Sequence, residues 1–104
     1  MPSGRVPMID FLDALRDVKV RAALLADISI LADEGPILPF PLTSAVQSHK
    51  GLHELRTRHG GTQIRTLYAV VNGDAVVLNA FRKTSATQVR REYSLAADRL
   101  RSYR

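Results

Sequence analysis

Residues 52–82 read LHELRTRHGGTQIRTLYAVVNGDAVVLNAFR, and the two turn signals inside this stretch decide the fold. Gly60-Gly61 and Asn72-Gly73 each sit between runs rich in β-branched and aromatic residues, the pattern of tight hairpins. Three strands are predicted, at Leu52–Arg58, Gln63–Val71 and Ala75–Arg82, joined as an antiparallel meander. A two-residue turn on Gly60-Gly61 pairs residues whose numbers sum to 121. Arg56 then lies opposite Arg65, with Glu54 two positions away on the same face. A two-residue turn on Asn72-Gly73 sets the second sum at 145 and brings Arg82 opposite Gln63. A three-residue loop would bring Lys83 there instead. Either register lays a cationic strip across one face of the sheet, and a slip of one residue would turn that face over.

Outward from the meander the hydrophobic period lengthens. Pro7 suits a first helical position, and Met8, Phe11, Leu12 and Leu15 fall on one side of the helix it would open. A second helix is expected from about Lys19 to Glu34, striped by Val20, Ala23, Leu24, Ile28 and Leu31 and ended by Gly35-Pro36. Three prolines between Pro36 and Pro41 make that stretch an extended loop. Beyond Lys83, Ser85 and Gln88 form a possible capping box for a last helix, whose inner stripe is Val89, Tyr93, Ala96, Ala97 and Leu100. The fold class is α+β: a helical hairpin, an antiparallel meander of at least three strands and a C-terminal helix, in one domain over residues 1–104.

Composition narrows the chemistry. The 104 residues contain no cysteine, which excludes a disulfide framework, a thiolate metal site and a cysteine nucleophile, and fits a reducing cytosol. No apolar run is long enough to span a bilayer, and Met1-Pro-Ser-Gly-Arg lacks the layout of a secretory signal, so a cytoplasmic protein without membrane contact is expected. The net charge of +5 is uneven. Residues 1–50 carry five Lys/Arg against six Asp/Glu, and residues 51–104 carry ten against four. A basic half of this kind points to a polyanion.

Arginines on one face suit phosphoryl chemistry, because guanidiniums bind phosphate oxygens in pairs and stabilise the charge of a phosphorane. RNA brings its own nucleophile, the 2′-OH. A nuclease using it needs a proton acceptor, a proton donor and cations, with no metal or cofactor. Glu54 and His53 are candidate bases, Lys83 and His59 candidate acids, and Arg56 and Arg65 the cations. Arg82, His53, Arg58 and Arg91 are further candidates to bind substrate. Arg56 with Glu54 reads equally well as a surface ion pair. His49, His53 and His59 match no zinc spacing. Tyr68 reads as a core residue whose hydroxyl reaches an edge. Arginines facing opposite ways, or each locked into a buried carboxylate, would remove the grip on a phosphate, and the nuclease reading would fall with it.

The runs Gly51-Leu52-His53-Glu54-Leu55-Arg56, Ile64-Arg65-Thr66-Leu67-Tyr68 and Val77-Leu78-Asn79-Ala80-Phe81-Arg82-Lys83 resemble phage-derived HigB-like toxins of the RelE superfamily. The segments from Gly4 to Leu15 and from Leu31 to Gly35 also look like that family, so the likeness covers nearly the whole chain. It implies a toxin of a type II toxin–antitoxin system, an endoribonuclease that cuts mRNA in the ribosomal A site without metal. The products would be a 2′,3′-cyclic phosphate and a 5′-hydroxyl. It also implies a small helix-turn-helix antitoxin as partner, the complex repressing its own operon. By the same resemblance Arg56 and Arg65 would bind the scissile phosphate and Lys83 would be general acid or a further phosphate ligand. Glu54 would be a base or would orient Arg56. Two departures stand out. The family usually opens with a β-strand before its helical pair, whereas few residues precede Pro7 here. Many relatives carry two lysines where this chain has Arg82-Lys83-Thr84. The competing expectations are a catalytically silent binding module for an antitoxin or nucleic acid, and a phage structural protein of the same fold.

Overall fold

The turns that punctuate the sequence are formed as expected. In the computed structural model, which describes residues 17–34 and 43–103 (the side chains of 31–34 and 74 excepted), both hairpins close with two central residues. Asn72 and Gly73 both take positive φ, 53° and 85°, the left-handed pair a type I′ turn requires. The elements run α1 (Val18–Glu34), β1 (Thr43–Ala45), β2 (His53–His59), β3 (Thr62–Val71), β4 (Asp74–Arg82) and α2 (Ala86–Tyr103). The strands form one antiparallel sheet in the order β1-β2-β3-β4. β1 is an addition to the expected meander. The predicted helix after Pro7 and the proline loop 36–41 lie outside the described residues.

Alternation along the strands sends side chains to two different helices. On one face Ile64, with Val77 and Ala80 beside it, packs on Val20 and Leu24 of α1, and Leu55 and Tyr68 pack on Ile28. On the other, Leu67, Ala69, Leu78 and Phe81 meet Val89, Ala96 and Leu100 of α2. The sheet is therefore the middle of three layers. Both helices start on a side-chain cap. The Asp17 carboxylate accepts from the backbone N–H groups of Lys19 and Val20 at 3.0 and 3.2 Å. Ser85 Oγ accepts from Gln88 N at 3.1 Å. The Gln88 amide reaches back past the cap, accepting from Thr84 N and donating to Arg82 O, both at 2.7 Å, which ties α2 to the end of β4.

The first register is the one expected: Arg56 pairs with Arg65 and Glu54 with Leu67. The second changes midway. From Val71↔Asp74 to Tyr68↔Val77 the numbers sum to 145, but Leu67 pairs with Asn79 and Ile64 with Arg82, a sum of 146. Leu78 is the extra residue of a β-bulge. Its carbonyl accepts a 2.8 Å hydrogen bond from Arg99 Nη1 of α2. The bulge corrects the placement of Arg82, which stands opposite Ile64 on the α1 side and does not join the strip. The following residue takes the position beside Gln63, Lys83 N donating to Gln63 O at 2.9 Å.

Leu24 is fully buried between α1 and the sheet. Leu24→Ala is expected to cost about 2–5 kcal/mol, read as a lower midpoint in urea unfolding.

Candidate functional site

Three rows of side chains cross the α2-facing side of the sheet, running from beneath α2 out to its exposed margin. The innermost contains Ser44, Glu54, Leu67 and Asn79; the next Arg56, Arg65 and Phe81; the outermost Arg58 and Gln63, with Lys83 beside Gln63. Glu54 is only 3% exposed, which is unusual for a carboxylate. Its burial is matched by donors. Arg56 Nε lies 3.0 Å from Oε1, and Arg65 Nη1 lies 3.3 Å from Oε2. From the helical layer above, the Tyr93 hydroxyl donates to Oε2 at 2.6 Å. One carboxylate thus holds two guanidiniums side by side and is itself held by α2.

The surrounding contacts fix both arginines further. Arg56 Nη2 donates to Ser44 Oγ of β1 at 2.5 Å. Arg65 Nε donates to Gln63 Oε1 at 3.0 Å, and its Nη1 also lies 3.4 Å from the Tyr93 oxygen. The His49 ring meets the Tyr93 ring nearly edge-on, with centroids 6.1 Å apart. Ser44, Ala45, Val46, Gln47 and Ser48, which are β1 and the turn after it, form the opposite wall of an open cleft of about 650 Å³ whose floor is Glu54, Arg56, Arg65 and Tyr93. Two guanidinium charges against one carboxylate leave the floor with a charge of +1. Both arginines keep some solvent contact, 19% and 15% of their side chains. They share one face, but both are locked onto the same buried carboxylate, so the condition that counts against a phosphate grip is met in part, with one positive charge left over. Glu54 occupies donors that an incoming phosphate would use.

The other sequence candidates separate. Arg58 and Lys83 are exposed, Arg58 in the row beyond Arg56 and Lys83 beside its Gln63. His53 pairs with Ala45 and Tyr68 on the α1 side, its ring stacked on Tyr68 at 5.3 Å, so the sheet itself separates it from Glu54 and it is no base there. His59 has the same facing, next to the first turn, and is no acid for the cleft. Arg91 is exposed on α2 and does not line the cleft. Glu54 already accepts from three donors, which makes it an orienting group for both arginines and removes the alternative of a simple surface ion pair. Tyr93 and Ser44 are the site residues that sequence reasoning misses. Tyr93 carries a signal, since a tyrosine in an apolar stripe needs a partner for its hydroxyl. Ser44 carries none. Among the described residues no three metal-ligating side chains converge.

Burial raises the Tyr93 pKa, and the hydrogen bond to Glu54 and its negative charge raise it further, while Arg65 pulls the other way. Tyr93 is therefore a proton-bearing donor at neutral pH. Tyr68 is also raised by burial, partly offset by a hydrogen bond with Thr43.

Residues 10–101, most of the chain, match the family model described as phage derived protein Gp49-like. No curated protein and no solved structure matches the chain.

Two outcomes follow from this geometry. Glu54→Ala leaves two adjacent guanidiniums without a counter-charge and should cost about 3 kcal/mol in denaturant unfolding, the low end for a broken buried pair because both arginines touch solvent. The folded pKa values of Tyr68 and Tyr93 lie above the unfolded value of about 10. Stability from both phenols is thus complete below about pH 10 and is lost as the pH rises through their folded values. Tyr93→Phe should flatten that alkaline loss, measured as unfolding midpoint against pH.

Proposed function

The chain belongs to the phage-derived Gp49-like family, and on that premise we propose that it is the toxin of a type II toxin–antitoxin system, acting as an endoribonuclease. The observation that carries the reading is the pair Arg56 and Arg65, directly opposite across β2 and β3 and held together by one buried carboxylate in an open cleft. Two guanidiniums at that spacing can each give hydrogen bonds to one phosphodiester, and their excess charge over Glu54 grows in value as the phosphorane becomes dianionic.

In the reaction, the 2′-oxygen attacks phosphorus and the bond to the 5′-oxygen breaks, leaving a 2′,3′-cyclic phosphate and a 5′-hydroxyl. Arg56 and Arg65 hold the non-bridging oxygens, and Lys83, at the edge of the strip, protonates the leaving 5′-oxygen. The 2′-OH proton is lost to solvent, while Glu54 orients the two arginines. Arg58 and Arg91 contact flanking RNA backbone. The substrate is mRNA on the ribosome, and the silencing partner is a helix-turn-helix antitoxin; the resemblance of the Glu54–Arg56, Arg65 and Lys83 runs to HigB-like toxins supports both.

One observation favours a second reading, a catalytically silent binding module. Glu54 engages Arg56 Nε and Arg65 Nη1, the donors best placed for a phosphate. Induced expression in a bacterial host separates the two. The toxin arrests growth, its RNA fragments end in 2′,3′-cyclic phosphates, and Arg65→Ala, with loss of about 2–4 kcal/mol of transition-state stabilisation, abolishes the arrest. Good soluble expression without arrest supports the silent module.

A further inference from the structure

The β1 wall of the cleft has a chemistry different from its floor. The floor is cationic and its polar groups are all engaged: Glu54 with Arg56, Arg65 and Tyr93, Arg56 also with Ser44 Oγ of the wall, and Arg65 also with Gln63. On the wall, Ser48 Oγ is engaged with His49 Nδ1 at 2.9 Å. Gln47 differs. It lines the cleft, it is exposed, and among the described residues its amide makes no hydrogen bond. A primary amide offers two donors and one acceptor, the set that reads the edge of a nucleobase. Tyr93 lines the same cleft, its ring packed on the core beneath α2 and 6.1 Å from the His49 ring, its hydroxyl bonded to Glu54. A fixed aromatic ring is a stacking platform for an unpaired base.

We propose that the cleft is a subsite for one nucleotide, in which Arg56 and Arg65 take the 3′-phosphate, Tyr93 stacks on the base and Gln47 reads its edge. This rests on the reading of the two arginines as a phosphate-binding pair, and it adds base selectivity set by Gln47. Size agrees: about 650 Å³ lies within the range of pockets that enclose a small ligand. The strand that carries the wall also holds the floor, because Ser44 binds Arg56, so phosphate and base sites are rigidly connected.

The four nucleoside 3′-monophosphates and inorganic phosphate, each titrated into the full chain by calorimetry, test the proposal. The expected result is that one base binds about three- to tenfold more tightly than the others, the worth of one net hydrogen bond. Inorganic phosphate should bind more weakly than any of the four. Gln47→Ala, at an exposed turn position, should bring the four affinities within about twofold of one another. Equal affinities in the natural chain, a preference that survives Gln47→Ala, or absence of nucleotide binding would overturn it. The readout is separate from cleavage. Base-selective binding by a chain that does not cut RNA sinks the nuclease and leaves the subsite. RNA cutting by a chain that binds all four nucleotides equally sinks the subsite alone.

Discussion

A single carboxylate between two guanidiniums organises this molecule. Glu54 is buried where water cannot solvate it, so its charge is tolerable only while Arg56, Arg65 and Tyr93 donate to it. Those three donors come from β2, β3 and α2. The same contact that satisfies a buried charge therefore fixes the relative position of two strands and the C-terminal helix, and it stops two like charges opposite each other from splaying apart. Fold and site share one constraint here: loosening the helix would loosen the arginines.

The bulge at Leu78 has a comparable double role. One inserted residue turns Arg82 to the α1 side and gives the position beside Gln63 to Lys83. It also frees the Leu78 carbonyl, which Arg99 binds from the far part of α2. With Gln88 fastening the start of the helix to the end of β4, α2 is attached at both ends while its middle packs through Val89, Ala96 and Leu100. The cationic residues collect toward the exposed margin of that face.

Much of this is legible in the chain because glycine-bearing turns leave few choices. Gly60-Gly61 and Asn72-Gly73 determine hairpin lengths, and from the first follows the opposition of Arg56 and Arg65 without knowledge of any contact. The bulge is not legible: Val76-Val77-Leu78 is uniformly apolar, so no polar residue marks where the alternation slips. β1 escapes because three residues between a proline-rich segment and a turn carry no periodicity. Tyr93 is legible as a core position but not as a donor, since its partner is 39 residues away. His53 misleads for the opposite reason. Next to Glu54 in sequence, it is across the sheet in space.

The account stands or falls on whether the two arginines act together on one phosphodiester while Glu54 holds them. Side-chain 15N–1H NMR of the arginine Nε groups, during titration with a DNA dinucleotide that has a phosphodiester but no 2′-OH, asks this directly. The account predicts that the Arg56 and Arg65 signals move together along one binding curve. It would be contradicted if both stayed still while those of Arg90 and Arg91 on the outer face of α2 shifted.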